Sequence, residues 1–380
     1  MINKNKSKIT NQFLIRDQLL NPELTRPSWL NDNSRLSNKL WLDKNESVDP
    51  VFNLIVSQVV KSIPIESVFS YPDLDKLYIK LSESIKLSPY NILLTAGSDG
   101  AIRSCFEACI SPGSSVMLSR PTFAMYEIYT KIYGAIPLWL DYKASPSGPF
   151  LECDYIISEI KKNKPNMICL PNPDSPTGTI FSPKDIERII NTAYQVDALI
   201  LIDEAYYPFY EWTAAPLINK YSNLVVVRSF SKSWGAAGLR VGYAIACEDL
   251  IEKIHKQRPM YEIGSVSAKA IESLLDYKSE MESSINRIKN GKIYFQESMR
   301  KIGLSTYLSY GNFFHVSFGD YSKLIHKELD GKAYYRKDFN IECLNGYSRF
   351  SGATIEQYKP IVESIEKIVN NKLVQTNPIK

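Results

Sequence analysis

The sequence of 380 residues predicts an α/β fold: a large domain with a mostly parallel central sheet flanked by helices, and a smaller α+β domain. The first observation is that short apolar runs alternate with helix-like segments, which is typical of a doubly wound sheet. The second is a change beyond about Ser265, where a long stretch almost free of glycine indicates extended helix. Six apolar runs are predicted strands: NILLT (91–95), SVMLS (115–119), NMICL (166–170), ALILID (198–203), LVVVRSF (224–230) and VGYAIA (241–246).

Two domains are expected because the chain exceeds the length of one typical hydrophobic core. We predict an N-terminal arm with part of the small domain at 1–49, a large domain at 50–265 and a C-terminal small domain at 266–380. Within the large domain, the segment SPKDIERIINTAYQ is expected to form a helix with Ser182 as its N-cap and Pro183 in its first turn.

Composition and charge exclude several classes of protein. The net charge is only +4, from 45 basic and 41 acidic residues, so neither nucleic acid nor an anionic membrane is an expected partner. The N-terminal segment lacks the apolar core of a signal peptide, and no apolar stretch approaches a membrane span, so we expect a cytoplasmic protein. Six scattered cysteines without a CxxC motif and three separated histidines predict free thiols and no metal site.

The segment SFSKSWGAAGLRVGY (229–243) carries the clearest chemical signal. It follows the buried run LVVV, so Lys232 is expected near the carboxyl end of a strand, where ligands bind in open α/β sheets. A lysine that attacks a carbonyl must be neutral part of the time, which burial or a nearby cation allows. Ser229 and Ser231 offer hydroxyl donors for a phosphate, and Arg240 adds a forked cation. Together these groups suit pyridoxal 5′-phosphate (PLP), although the segment alone would also fit a surface lysine in a glycine-rich loop.

A second segment, ALILIDEAYYPFY, lies about thirty residues upstream and supports the same ligand. It ends a predicted strand with Asp203, and a carboxylate there can keep a pyridine nitrogen protonated, which makes the ring an electron sink. Tyr206 can hydrogen-bond the phenolic oxygen of the ring. An aspartate that only caps a turn is the alternative, and the downstream lysine segment makes it the weaker one.

Ten motifs in constant order extend the pattern over most of the chain. They are DKNES (43–47), SYPD (70–73), TAGSDGAI (95–102), RPTFAMY (120–126), PNPDSPTGT (171–179), IDEAY, SFSKSWGAAGLR, GNFF (311–314), YYR (334–336) and SRFSGAT (348–354). The chain therefore resembles the fold-type I PLP-dependent aminotransferases (class I/II), in the branch with histidinol-phosphate aminotransferase and threonine-phosphate decarboxylase. The resemblance implies that 50–265 is the PLP-binding domain and that the protein is a homodimer with shared active sites.

The resemblance also implies roles for individual residues around the cofactor. Lys232 would form a Schiff base with the PLP aldehyde and move a proton, while Asp203 would hold the ring nitrogen and Tyr206 the ring oxygen. Ser98 and Asp99 would bind the phosphate largely through backbone N–H groups at a helix N-terminus. The remaining implied contacts are Ser229, Ser231 and Arg240 to the phosphate, Phe123 stacked on the ring where the family usually has tyrosine, and Tyr71 reaching the phosphate bound by the other subunit.

One position departs from the family pattern. Family members place an asparagine before Pro-Thr-Gly, where its amide donates to the ring oxygen, whereas this chain has Ser175. A serine hydroxyl would make such a bond directly or through water. Asn172 lies three residues earlier, out of register, so the change affects tuning of the ring oxygen rather than cofactor binding.

Three further residues are implied contacts of the substrate. Arg349 matches the arginine that binds the substrate carboxylate, and Arg336 matches one that helps to recognise a substrate phosphate. Asn45 lies where family members line the substrate pocket. Surface salt bridges are the alternative for both arginines.

Three functional hypotheses follow. The first is an aminotransferase that moves an amino group between an amino acid, with glutamate expected, and a small phosphorylated carbonyl compound of the histidinol-phosphate type or a three-carbon phosphate. The second is a PLP-dependent decarboxylase of serine phosphate or threonine phosphate, because the same cofactor pocket allows either bond to break. The third is a PLP-binding protein without turnover, against which the intact set of Lys232, Asp203 and Arg349 argues.

Overall fold

The computed structural model describes residues 15–24 and 35–376 and confirms the predicted α/β architecture. Residues 1–14, 25–34 and 377–380 lie outside the described part. Much of the predicted N-terminal arm is therefore outside the described part. The same holds for most of the N-terminal segment that lacks the apolar core of a signal peptide. Within the described ranges, no helix is long and apolar enough to cross a lipid bilayer.

The strands form one large sheet and two small ones. They are β1 (Leu40–Leu42), β2 (Ile92–Thr95), β3 (Ser115–Arg120), β4 (Ile136–Asp141), β5 (Met167–Pro171), β6 (Leu199–Asp203), β7 (Leu224–Ser229), β8 (Gly242–Ile245), β9 (Ser305–Tyr307), β10 (Phe313–Ser317), β11 (Ala333–Tyr335) and β12 (Tyr347–Ser351). The large sheet has the order β2-β8-β7-β6-β5-β3-β4, and every pair is parallel except the two made by β8. The small domain holds the antiparallel sheet β12-β10-β9, and β1 pairs in parallel with β11.

All six predicted strands lie in the large sheet and are confirmed, but the sequence analysis missed the seventh strand of this sheet, β4. This strand pairs only with β3 and so lies at the edge of the sheet. Most of its side chains are at least partly exposed, although its sequence, IPLWLD, is largely apolar. Its Pro137 is typical of an edge strand, where a missing N–H costs no ladder hydrogen bond.

Helices pack on the sheet and form much of the small domain. They are α1 (Pro50–Lys61), α2 (Glu66–Phe69), α3 (Asp75–Ile85), α4 (Gly97–Cys109), α5 (Ala124–Ile132), α6 (Cys153–Asn163), α7 (Pro183–Gln195), α8 (Glu248–His255), α9 (Ser265–Leu274), α10 (Lys278–Lys301), α11 (Ser322–Leu329) and α12 (Ile355–Thr376). The glycine-poor stretch after Ser265 thus forms two helices rather than one. A 3-10 turn at Leu275–Tyr277 separates them because α9 packs on α1 and α3, whereas α10 packs on α12.

Helix α7 shows how local sequence sets an element. As predicted, Ser182 is the N-cap and Pro183 the first helical residue; the Ser182 hydroxyl accepts a hydrogen bond from the Asp185 backbone N–H (3.1 Å). Ile186 and Ile190 lie one turn apart on the face that packs into the core of the large domain.

The small domain has its own core, built around aromatic rings. Phe295 of α10 packs on Phe314 of β10 and Phe350 of β12, with ring centroids 4.9 and 5.3 Å apart. Tyr358 of α12 and Leu42 of β1 belong to the same buried cluster. The N-terminal segment therefore contributes to this core, as expected, while the domain limits at 49/50 and 265/266 stay a prediction.

The topology of the large sheet brings several loops to one edge. Strands β3, β5, β6 and β7 are parallel, so their carboxyl ends, Arg120, Pro171, Asp203 and Ser229, lie on the same side. Strand β8 runs the opposite way, and its first residue, Gly242, pairs with the last residue of both β7 and β2. Ligands of open α/β sheets bind outside such carboxyl ends.

Candidate active site

A cavity of about 770 Å³ opens at this edge of the sheet. Its walls come from the loops that follow the parallel strands, from the residues after β1 and from the loop between β11 and β12. Every predicted site residue except Tyr71 lines it: Asn45, Ser98, Asp99, Phe123, Ser175, Asp203, Tyr206, Ser229, Ser231, Lys232, Arg240, Arg336 and Arg349.

Lys232 lies in the turn three residues beyond β7. Its Nζ donates a hydrogen bond to the backbone carbonyl of Lys44, at 2.9 Å. Burial lowers the pKa of Lys232 to about 8, and the positive charge of Arg349 acts in the same direction. More of the amine is therefore unprotonated at neutral pH than in an exposed lysine, as a nucleophilic amine requires.

Asp203, the last residue of β6, is buried and held by two donors. Its Oδ1 accepts from the backbone N–H of Ala205, and its Oδ2 accepts from the hydroxyl of Tyr126, both at 2.9 Å. Burial raises the pKa of Asp203 to about 6, and these hydrogen bonds oppose that rise. The carboxylate is thus ionised at neutral pH and suited to pair with a protonated ring nitrogen.

The first turn of α4 forms one side of the predicted phosphate site. The N–H groups of Ser98 and Asp99 lie in this turn, where a helix has no internal acceptors for them. The helix dipole places partial positive charge at the same point, which favours an anion. The Asp99 side chain is turned to Tyr129, whose hydroxyl donates to it at 3.0 Å.

Two serines and an arginine form the opposite side of the phosphate site. The Ser229 hydroxyl accepts from the backbone N–H of Ser231 (3.0 Å), which leaves its own hydrogen for a ligand. The Arg240 guanidinium makes only long contacts, 3.5 Å to the Ser231 hydroxyl and 3.4 Å to the carbonyl of Ala96. Donors with such weak internal partners fit an anion that accepts several hydrogen bonds at once.

Two glycines let these groups approach each other. Gly97 has φ +77°, and a Cβ there would lie 2.6 Å from Nη2 of Arg240. A Cβ on Gly242 would overlap the backbone of Gly97 and Ser98. Strand β8 therefore lies in backbone contact with the start of α4, and the Arg240 guanidinium lies against Gly97, because neither glycine carries a side chain.

Tyr206 lies beside Asp203 with its hydroxyl among polar partners. Asn45 Nδ2 donates to this hydroxyl at 2.9 Å, and Ser175 also hydrogen-bonds the tyrosine. Burial raises the pKa of Tyr206, while the charge of Arg349 and these two hydrogen bonds oppose the rise. Ser175 thus contacts the tyrosine that is predicted to bind the ring oxygen.

Phe123 precedes α5 and lines the cavity with 39% of its surface exposed. Its ring packs edge-on against Tyr126, with centroids 6.1 Å apart. The rest of the ring is available to stack on a planar ligand, as predicted for this position.

Arg349 and Arg336 are adjacent at the substrate end of the cavity. Their backbones exchange two hydrogen bonds, of 3.0 and 2.8 Å. One amino group of Arg349 donates to the carbonyl of Asp43 (3.0 Å), while its buried Nε has no partner among the described residues. Burial lowers the pKa of Arg349, and the charge of Arg336 acts in the same direction. Two neighbouring cations with free donors favour a ligand with more than one negative charge.

Tyr71 lies away from the cavity of its own chain. It is 78% exposed and stacks on Tyr261, with ring centroids 4.5 Å apart. Val68 and Phe69 next to it are also exposed. The expectation that Tyr71 reaches the site of another subunit stays a prediction.

The structure also adds residues that the sequence analysis did not identify. Tyr126 follows Phe123 by three residues in RPTFAMY, but Phe123 lies before the first helical residue of α5, so helical spacing does not predict the contact of Tyr126 with Asp203. Lys44 contributes a backbone carbonyl, for which a sequence carries no side-chain signal. Phe339 and Ile341 form an apolar wall near Arg336, in a loop without a recognisable pattern.

Comparison with known proteins decides the family. The sequence model described as aminotransferase class I and II matches residues 61–365. The chain belongs to the class I and II aminotransferase family. This confirms the predicted family, fold type I, PLP as cofactor and the aminotransferase class of enzyme. Among curated relatives, the histidinol-phosphate aminotransferase of Caldanaerobacter subterraneus is 29% identical over 317 residues, which cover 83% of this chain and 88% of the relative.

Solved structures of aminotransferases share the fold. The histidinol-phosphate aminotransferase of Sinorhizobium meliloti in complex with pyridoxal-5'-phosphate aligns with a TM-score of 0.74 and 20% identity, covering 88% of this chain and 91% of that one. The L-threonine-O-3-phosphate decarboxylase of Porphyromonas gingivalis aligns with a TM-score of 0.72 and 20% identity, covering 87% and 99%. At these identities the two structures show the common fold alone.

The residues of this aminotransferase fit PLP. An amine with a lowered pKa, a buried carboxylate and a cluster of phosphate donors lie around one cavity, as the aldehyde, ring nitrogen and phosphate of PLP require. The backbone N–H groups at the start of α4, the hydroxyls of Ser229 and Ser231 and the Arg240 guanidinium suit the phosphate.

Proposed function

We propose that this aminotransferase transfers an amino group between glutamate and a small phosphorylated carbonyl compound, of the histidinol-phosphate type or a three-carbon phosphate. The adjacent guanidinium groups of Arg336 and Arg349 carry this proposal. Arg336 is exposed to the cavity and makes no ion pair within the described part of the chain, so its charge is available to a phosphate. The relatives known as histidinol-phosphate aminotransferases support the same class of substrate.

The shape of the substrate end supports a compact substrate. Arg349 is fixed in β12 and near Lys232, so it suits a carboxylate close to the reacting carbon. Arg336 lies at the rim, beside the apolar side chains of Phe339 and Ile341. A substrate with its phosphate a few bonds from the amino group reaches both the amine of Lys232 and this rim.

The chain divides the chemical work among its residues. Bound PLP supplies an electron sink that stabilises negative charge at the substrate Cα. Asp203 would hold the ring nitrogen, Phe123 would stack on the ring, and the neutral amine of Lys232 would take up and return the proton at the substrate Cα. The two arginines hold the substrate so that the Cα–H bond faces Lys232.

The proposal includes a cytoplasmic homodimer whose sites are shared. Tyr71 and the neighbouring Val68 and Phe69 are largely exposed, although they are apolar or aromatic. Burial against a second copy would remove this surface from water and bring Tyr71 to the phosphate site of the partner subunit.

A substrate screen tests the reaction. We expect 2-oxoglutarate to become glutamate when the protein is given histidinol phosphate or an amino-alcohol phosphate of three carbons. Carbon dioxide released from serine phosphate or threonine phosphate without 2-oxoglutarate would instead support the decarboxylase hypothesis. Absence of turnover with every amine would favour a PLP-binding protein without activity.

The variant Arg336→Ala tests the substrate contact. We expect the KM for the phosphorylated substrate to rise about ten- to hundredfold with little change in kcat, because the lost ion pair binds ground and transition states alike. The neighbouring cation Lys337 pairs with Asp330 and is absent from the cavity lining, so Lys337→Ala is the matched control and should change KM by less than about twofold. Equal effects of the two variants would contradict the role of Arg336.

A further inference from the structure

Asn45 is held in an unusual backbone conformation next to the cofactor site. Its φ is +57°, a left-handed conformation that asparagine tolerates better than most residues. Its backbone N–H donates to the hydroxyl of Ser351 (2.8 Å), and its carbonyl accepts from Nδ2 of Asn312 (2.9 Å). The side chain is 3% exposed and cannot turn to solvent. Asn45 is therefore fixed by contacts with the small domain.

The hydroxyl of Ser351 determines which way the Asn45 amide points. This hydroxyl has one hydrogen and already accepts from the Asn45 backbone, so its hydrogen is free to be donated. The acceptor is Oδ1 of Asn45, at 3.3 Å. The amide nitrogen then lies on the other side, where it donates to the hydroxyl of Tyr206 at 2.9 Å.

The orientation of the Asn45 amide restricts the direction of the Tyr206 hydroxyl hydrogen. Its oxygen accepts a hydrogen from Asn45, so its own hydrogen points away from Asn45, towards Ser175 or a ligand beside it. We propose that Asn45 and Ser351 are positioning residues that direct the Tyr206 hydroxyl hydrogen at the ring oxygen of PLP. This inference rests on Tyr206 binding that oxygen, and it differs from the sequence prediction, in which Asn45 contacts the substrate.

The arrangement explains how the chain functions with Ser175 in place of the usual asparagine. An amide donor is still present, but it acts on the tyrosine rather than on the cofactor. A phenol that accepts a hydrogen bond is a stronger donor, because neighbouring hydrogen bonds polarise each other. The ring oxygen would thus receive one strengthened bond from Tyr206, which favours its ionised form.

The variant Asn45→Asp reverses one hydrogen bond with almost no change in shape. A carboxylate at position 45 accepts from Tyr206, and so it turns the tyrosine hydrogen away from the ring oxygen. The readout is the pH midpoint at which the visible absorption of the cofactor bound to the holoenzyme changes. We expect the midpoint to rise by about one pH unit, because the anionic ring oxygen loses its donor. Asn45→Ala should raise it less, and Ser351→Ala, which releases the amide, should also raise it.

A second background separates orientation from the added charge. Tyr206→Phe removes the hydroxyl, so in that background Asn45→Asp retains its charge effect but has no hydrogen to redirect. The proposal requires a larger shift in the wild-type background than in the Tyr206→Phe background, and Asn45→Ala must shift only the former. Equal shifts in both backgrounds, or no shift in any variant, would overturn it. A wrong cofactor assignment would be recognised by a different observation, because wild-type protein mixed with PLP would then show no new visible band.

Discussion

Lys232 combines burial with the nearby cation of Arg349, and both disfavour its protonated form. Since the pKa is lowered to about 8, the amine is protonated below that pH and neutral above it. We therefore expect the rate at which the apoprotein binds PLP to fall as the pH drops through about 8. Stopped-flow absorbance between pH 6 and 10 measures this rate.

The variant Arg349→Gln tests whether the charge of Arg349 lowers the pKa of Lys232. Removing the positive charge should move the midpoint of that rate profile to higher pH, since the ammonium form of Lys232 becomes less unfavourable. The exposed Arg120, which pairs with Asp141, provides a control in Arg120→Gln, whose midpoint should match the wild type. A midpoint unchanged in Arg349→Gln would contradict the electrostatic coupling.

Some residues of the site could be predicted from the sequence and others could not. The segments around Lys232 and Asp203 together suggest the chemistry from their residue types, whereas Arg349 and the remaining contacts follow from the family motifs. The contact of Tyr126 with Asp203 joins side chains 77 positions apart, which only the tertiary structure determines. The polarity of the Asn45 amide depends on a single hydroxyl at position 351, so no local pattern could predict it.

At the scale of elements, α4 and β8 meet through Gly242, and this contact positions the phosphate-binding turn. Gly242→Ala would place a Cβ against the backbone of Gly97 and Ser98. The start of α4 must then shift, so we expect the affinity for PLP to fall about ten- to hundredfold. Gly331→Ala is the control, because a Cβ there meets nothing within 4 Å.

A comparison of PLP with pyridoxal identifies the part of the cofactor that is affected. Pyridoxal lacks the phosphate, so Gly242→Ala should weaken its binding much less than that of PLP. Equal losses for both ligands, measured by fluorescence or absorbance titration, would show a general distortion of the cavity instead.

Strands were predicted where burial requires a continuous run of apolar residues. The six predicted strands, which include β2 at one edge of the sheet, have continuous apolar runs and are largely buried. The apolar run of β4, at the other edge, is interrupted by Pro137 and partly exposed, and it was missed. The break between α9 and α10 follows from their different packing partners. Helix periodicity in the sequence does not indicate these partners, so the break was not predicted.

At the scale of the whole molecule, the shared-site homodimer is testable by mixing inactive variants. Tyr71→Ala weakens the site of the other subunit, and Lys232→Ala removes the amine from its own. In a mixed dimer, one site has both Lys232 and Tyr71, so we expect activity to return to about a quarter of the wild-type level after random exchange. The control replaces Lys232→Ala by the double variant Lys232→Ala/Tyr71→Ala, and it should restore nothing. Equal activity in both mixtures would argue for independent sites.

The bond between the Asn45 backbone and Ser351 joins positions 306 residues apart. During synthesis, the segment that carries Asn45 leaves the ribosome long before its partner strand is made. A nascent chain ending before β12 would have the strands of the large sheet, yet it would lack both Arg349 and the hydroxyl that fixes Asn45. Coenzyme capture in its final form therefore follows the synthesis of β12, and the slow step of maturation is expected to be the docking of this late strand against the segment around Asn45.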